Sequence, residues 1–228
     1  FTLGFAGNSS DIGTITNHGG TINVNTGGGG NMEMTVWDTS RAAFTLDSGT
    51  LNLQNNASLI FGVNGNAGIA TFHQNGGTVT FYADGGTTVG GAGSLILGNQ
   101  SGPNPWEISA GTYNYNLNGG TLVVPQIRKT SPNGSGSFNF NGGILKPAAA
   151  TTTFLEGITA GNLQAGGAII DTDGYDITIG QPLQGAGALT KNGLGTLTFT
   201  GTNTYTGTTL INNGTLALSG GGSLASRV

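Results

Sequence analysis

No cysteine occurs in the 228 residues, so no disulfide braces the fold and stability must come from packing and hydrogen bonds. Charge is nearly as scarce. Six Lys or Arg and ten Asp or Glu make up 7% of the chain, against about 25% in an average protein. The net charge of −4 offers no basic footprint for nucleic acid or an anionic membrane surface. No run of 18 apolar residues is present, so nothing spans a membrane as a helix. Apolar residues at helical spacing are missing too. The chain has no initiator Met and no signal peptide, and patterned sequence reaches both ends, as expected of a piece of a longer mature protein.

What the chain has in excess is glycine, 45 residues, together with Asn and Thr. Glycine is costly inside helices, whereas short alternating runs separated by Gly and Asn are the pattern of an all-β chain with many turns. Disorder does not fit, because 36% of the residues are apolar and they alternate.

A corner motif recurs. Two small residues precede Thr or a substitute and an alternating run at Gly19–Val24, Ser48–Leu53, Gly76–Phe81, Gly119–Val124, Gly142–Pro147, Gly166–Asp171 and Asn213–Leu218. Gly195–Phe199 is a variant, and Gly111–Tyr115 a half-match. The spacing is roughly 19 to 29 residues, with one longer interval, which is the signature of a repeat architecture. Glycine allows the corner, and the period of two then places Ile22 and Val24, Leu51 and Leu53, Val79 and Phe81, Leu122 and Val124, Leu197 and Phe199, and Leu216 and Leu218 on one inward face. Such a face is buried only when copies stack. The expectation is an all-β right-handed parallel β-helix, a β-solenoid of roughly nine rungs about 45 Å long. A β-sandwich explains the alternation but not the phased corners.

The chain is read as one solenoid segment over residues 1–228, with irregular rungs and inserted loops over 1–165 and a more regular repeat region over 166–218. Residues Leu189–Leu218 resemble the autotransporter-associated β-strand repeat, also called the passenger-associated transport repeat, of secreted bacterial surface proteins. Gly166–Lys191 is similar to sequence that commonly precedes that repeat. Tyr115–Leu122 and Phe138–Leu145 resemble motifs found beside it. The resemblance implies an extracellular solenoid on the outer cell surface, and repeats near residues 185–218 that fold first outside the cell and draw the remainder across. The lack of cysteine suits passage of an unfolded chain.

Catalytic chemistry finds little support. The ten acids are scattered rather than paired, and no Gly-x-Ser-x-Gly elbow exists. The chain is therefore expected not to be an enzyme and to need no cofactor, with a polysaccharide-active β-helix enzyme a distant third reading. Asp171, Asp173 and Asp176 form the one local carboxylate cluster. They read as a strand-to-strand turn first and a weak cation site second, because the spacing departs from a calcium loop. His18 falls in the corner slot that Asn75, Asn118, Asn141 and Asn212 fill elsewhere, and His73 is out of phase, so both read as turn or surface residues. Gly27–Gly30 reads as a flexible corner, and Arg128–Lys129 as a solvated pair in a loop between Pro125 and Pro132. Thr-x-Thr recurs too seldom for an ice-binding face. Trp37, Trp106, Tyr82, Tyr113, Tyr115, Tyr175 and Tyr205 could stack on sugars, with Trp106 and the Tyr113–Tyr115 face the leading ligand contacts.

The expected function is thus a non-enzymatic structural passenger or stalk, with a carbohydrate-binding adhesin as the alternative. The partners implied are a second copy joined head to tail through unpaired terminal strands, and a glycan or surface receptor.

Overall fold

A computed structural model describes residues 2–3, 12–24, 30–34, 41–62, 67–100, 104, 109–225 and 227. The described residues contain strands and turns but no helix, and so no helix long and apolar enough to cross a membrane. Every pairing between named strands is parallel, and residues of one strand lie opposite residues of the next coil. Three sheets of nine, seven and eight strands result, here sheets A, B and C, and the chain visits them in the order A, B, C on each coil. The fold is a parallel β-solenoid. A short pair, Thr202–Asn203 with Ser223–Leu224, continues beside sheet B.

The interior follows from the period-two pattern. In sheet B, Arg41–Leu46, Ile69–Gln74 and Thr112–Leu117 alternate half-exposed and buried positions. Phe44, Phe72, Tyr115 and Phe138 occupy one inward column and stack in sequence, with centroids 4.8, 4.8 and 5.3 Å apart. This spacing is the inter-strand distance of a sheet, about 4.8 Å, so the rings stack because the strands do. In sheet C, Leu51, Val79, Leu122, Leu145 and Ile170 form a second column, all fully buried.

The corners carry polar ladders. Asp47 Oδ1 accepts from Asn75 Nδ2 at 2.9 Å, Asn75 from Asn118 at 2.9 Å, and Asn118 from Asn141 at 3.2 Å. His18 Nδ1 lies 2.8 Å from Asp47 Oδ2, so the corner slot expected for His18 is correct for this ladder. The Asn75 bond first, and His18 second, hold the Asp47 carboxyl below the usual value. A second ladder runs outside sheet B through His73, Asn116, Asn139, Asn162 and Gln184. Each rung thus closes its outward amides on the next, which leaves few polar groups unpaired.

Two expectations need correction, and one copy of the corner motif differs in phase. The corner motif does not keep one face: the copies from Gly19 to Gly166 lead into sheet C, whereas Thr196–Phe199 and Thr215–Leu218 lie in sheet A. The cause is coil length. Equivalent side chains are 29, 28 and 43 residues apart early in the chain, and 23 and then 20 later. As the coil shortens, a glycine corner serves a different side. For the same reason Asn212 bonds Asn192 rather than joining the Asn75 ladder. Finally, the Gly166–Asp171 copy is shifted by one, with Ala168 and Ile170 inward and Ile169 outward.

Candidate functional site

The outer face of sheet C carries a groove of about 430 Å³. Its floor comes from outward positions of three successive rungs: Thr78 and Thr80, then Thr121 and Val123, then Lys146. Stacking alone brings these residues together.

One wall is a tight excursion after Thr78–Phe81. Tyr82 pairs with Val89 in an antiparallel bridge, and Ala83 N donates to Thr88 O at 2.9 Å. Asp84 shapes the tip by accepting from the amides of Gly86, Thr87 and Thr88 and from the Thr87 hydroxyl at 2.6 Å. Those bonds, the Thr87 hydroxyl first, hold its carboxyl far below the usual range. Asn56 of the preceding coil pins the base, donating to Ala83 O at 3.0 Å and accepting from Ala92 N at 2.8 Å.

The opposite wall is the turn Thr172–Tyr175. Asp173 and Gly174 both have positive φ, 52° and 86°, and Tyr175 N donates to Thr172 O at 2.8 Å. Two successive positive-φ residues are the signature of a tight primed turn, which suits Asp-Gly. The turn sets Tyr175 on the rim, 40% exposed. Lys146 Nζ sits 3.0 Å from Asp171 Oδ2 and 3.6 Å from Asp173 Oδ1, and its pairing with Asp171, more than with Asp173, raises the ammonium above its usual value.

The sequence-derived site residues fare differently. Asp171 and Asp173 are brought together, but around Lys146; Asp176 instead accepts from Thr196 N at 2.7 Å on the next coil. Among the described residues no three metal-ligating side chains converge. Tyr113 and Tyr115 do share a face, but it is the inner one. Both are fully buried, Tyr115 donating to Gln74 Oε1 at 2.6 Å and the Tyr113 hydroxyl accepting from Gly111 N at 3.0 Å, so neither offers a ring to a sugar. Tyr205 is also buried. Trp37, Trp106 and Gly27–Gly29 lie outside the described residues. Arg128 is not in a solvated loop: Ile127–Arg128 is a strand of sheet A, with Arg128 opposite Glu156 and Lys129 half-buried, its ammonium lowered by that burial.

A second constellation lies inside the last coils. Lys191 occupies the inward column between Ile170 and Ile211 and is fully buried. Its ammonium donates to Thr172 Oγ1 at 3.0 Å and to the carbonyls of Asn192, Gly193 and Asn213 at 2.8, 2.7 and 3.1 Å. Desolvation lowers its pKa, partly countered by Asp171. Asn203 acts alike, accepting from Leu183 N at 2.9 Å and donating to Gly201 O and Ser223 O, each at 3.0 Å. The Tyr205 and Thr209 hydroxyls are hydrogen-bonded to each other at 2.6 Å. Lys191 and Asn203 thus tie their own coil to both neighbours.

These residues coincide with a known repeat. Residues 189–218 match the model of the passenger-associated transport repeat. That match covers 30 of the 228 residues. No curated protein and no solved structure matches the chain. Within the transport repeat, Leu197 and Phe199 fill the core of sheet A, and Lys191, Asn203 and Tyr205 supply the buried polar links. The repeat fits a passenger-like structural domain of autotransporter type.

Proposed function

We propose that the chain is a non-enzymatic structural solenoid of an exported bacterial surface protein, displayed outside the cell. The observation that carries this reading is the transport repeat at 189–218, seated on a solenoid whose coils are joined by stacked apolar columns and outward amide ladders. Such a stack is a stiff rod, and its work is mechanical: it holds loops at a distance from the membrane. The shortest coils, those of the transport repeat, also have the most local contacts, and local contacts form fastest. They are the part suited to fold first on emerging and to template the coils that precede them.

Replacing Leu197 and Phe199, both fully buried, with Ser tests this. Surface display, followed by protease accessibility on intact cells, should slow markedly for the double variant. Display at the rate of the unaltered chain would contradict the reading.

Head-to-tail association is a second reading. It is favoured by the way equivalent strands of successive coils pair in parallel, each coil serving as the template for the next. Electron microscopy of the purified chain tests it: filaments one solenoid wide support it, and isolated short rods at high concentration contradict it.

A further inference from the structure

We infer that the groove on sheet C is a binding site for a neutral oligosaccharide, contacted by Tyr82 and Tyr175 from the walls and by Thr78, Thr121 and Lys146 from the floor. Four observations support this assignment. The volume, about 430 Å³, falls in the range of small-ligand sites, roughly 300–1,000 Å³. Both walls are stiff, and the first departs from the repeat: the Asp84 hydrogen bonds and the Asn56 clamp hold the Tyr82–Val89 excursion, and the positive-φ turn at Asp173–Gly174, a corner between sheets C and A, holds the other. A stiff, preformed wall lowers the entropy lost on binding. A chain built for rod stiffness alone has no need of the Tyr82–Val89 excursion.

The lining then selects the ligand. Threonine hydroxyls both donate and accept, and tyrosine offers an apolar ring face with a polar tip, which together match a pyranose with its apolar face and ring of hydroxyls. One ammonium and two carboxylates leave the site slightly negative, which disfavours polyanions. An extended peptide is a poorer match: the floor is the face of a sheet, not an edge, so its backbone groups are already paired within the sheet and unavailable for strand addition. The three-rung floor, with steps of about 4.8 Å, gives the groove a direction along the solenoid and suits a linear chain of sugars better than a single one.

The test is a printed array of neutral and acidic glycans, followed by titration calorimetry of the intact chain with maltohexaose, cellohexaose, laminarihexaose and polygalacturonate. At least one neutral oligosaccharide should bind, and Tyr175→Ala or Tyr82→Ala should weaken it about tenfold, some 1.4 kcal/mol. Tyr175→Phe should bind nearly as the native chain does, since the ring is kept. Tyr175 is exposed, so its replacement leaves the fold intact, and Leu210→Ala, outside the groove, is the matched control with no expected effect. A blank array, binding unchanged in both Ala variants, or preference for polygalacturonate would each overturn the assignment.

Discussion

Replacing Lys191 with Met should destabilise the chain by about 2 kcal/mol, and the size of that number follows from opposing terms. Lys191 is a charged group in an apolar column, with three protons to share among four oxygens. Hydrogen bonds from a charged donor contribute about 1.5–3 kcal/mol each, while desolvating an ammonium costs several kcal/mol. The lowered pKa says that desolvation outweighs the help from Asp171. Methionine fits between Ile170 and Ile211 and removes the desolvation cost, but it leaves the Gly193 and Asn213 carbonyls without the ammonium. The Asn192 carbonyl keeps the Thr172 amide as a donor. One orphaned carbonyl at about 1–3 kcal/mol is therefore the main loss, because Asn213 is exposed to water. For a chain of this length that corresponds to roughly 4–8 °C in Tm. The assay is thermal unfolding of native and Lys191→Met chains from pH 7 to 10, with hydrogen exchange locating the loss in the last coils. Because the folded pKa is lowered, the folded state binds fewer protons than the unfolded state just below the ordinary 10.5. Stability of the native chain relative to the variant should therefore grow as pH rises into that window. An equal or higher Tm for Lys191→Met, or an advantage that shrinks with rising pH, would refute the reasoning.

Phe72→Ala removes the second ring of the Phe44–Phe138 stack and should cost about 3–5 kcal/mol, read as a lower denaturant midpoint. Gly49 has φ +84°, and a Cβ there would lie 2.2 Å from Gly20 O, whereas Gly20, at φ +80°, has open space. Gly20→Ala should therefore show only the backbone strain of about 1–2 kcal/mol, and Gly49→Ala clearly more, in the same melts. Burial raises the pKa of Tyr113 and raises that of Tyr115 well above 10.0. The unfolded chain then releases these protons first, so this contribution is complete below about pH 10 and is lost as pH rises beyond it. Spectrophotometric titration should show two tyrosines ionising only with unfolding.

The solenoid was legible because two independent periods coincide in the sequence: alternation within a strand and a glycine corner between strands. The pairs Leu51–Leu53 and Val79–Phe81 face inward as alternation requires, and His18 takes the corner slot of Asn75 because the slot is defined by its distance from the glycines. The change of face near Gly195 was not legible. A corner glycine looks the same whichever side it serves, and only the count of residues per coil decides between them. Tyr113 and Tyr115 went astray for a different reason. They alternate with Asn114 and Asn116 and share their face with Leu117, a signal for the inner face that their phenol groups obscured. The groove depends on Thr78, Lys146 and Tyr175, residues far apart in sequence that meet only through stacking. Tyr82 and Tyr175 were visible as aromatics, but nothing local distinguished them from buried Tyr205.

The proposed role of the chain is the rod of an exported surface protein. Immunogold electron microscopy of intact, unpermeabilised cells that make the protein, with antibody raised against the purified chain, tests this role. The account predicts label on the outer surface, displaced from the membrane on thin projections. Label that appears only after permeabilisation would contradict it.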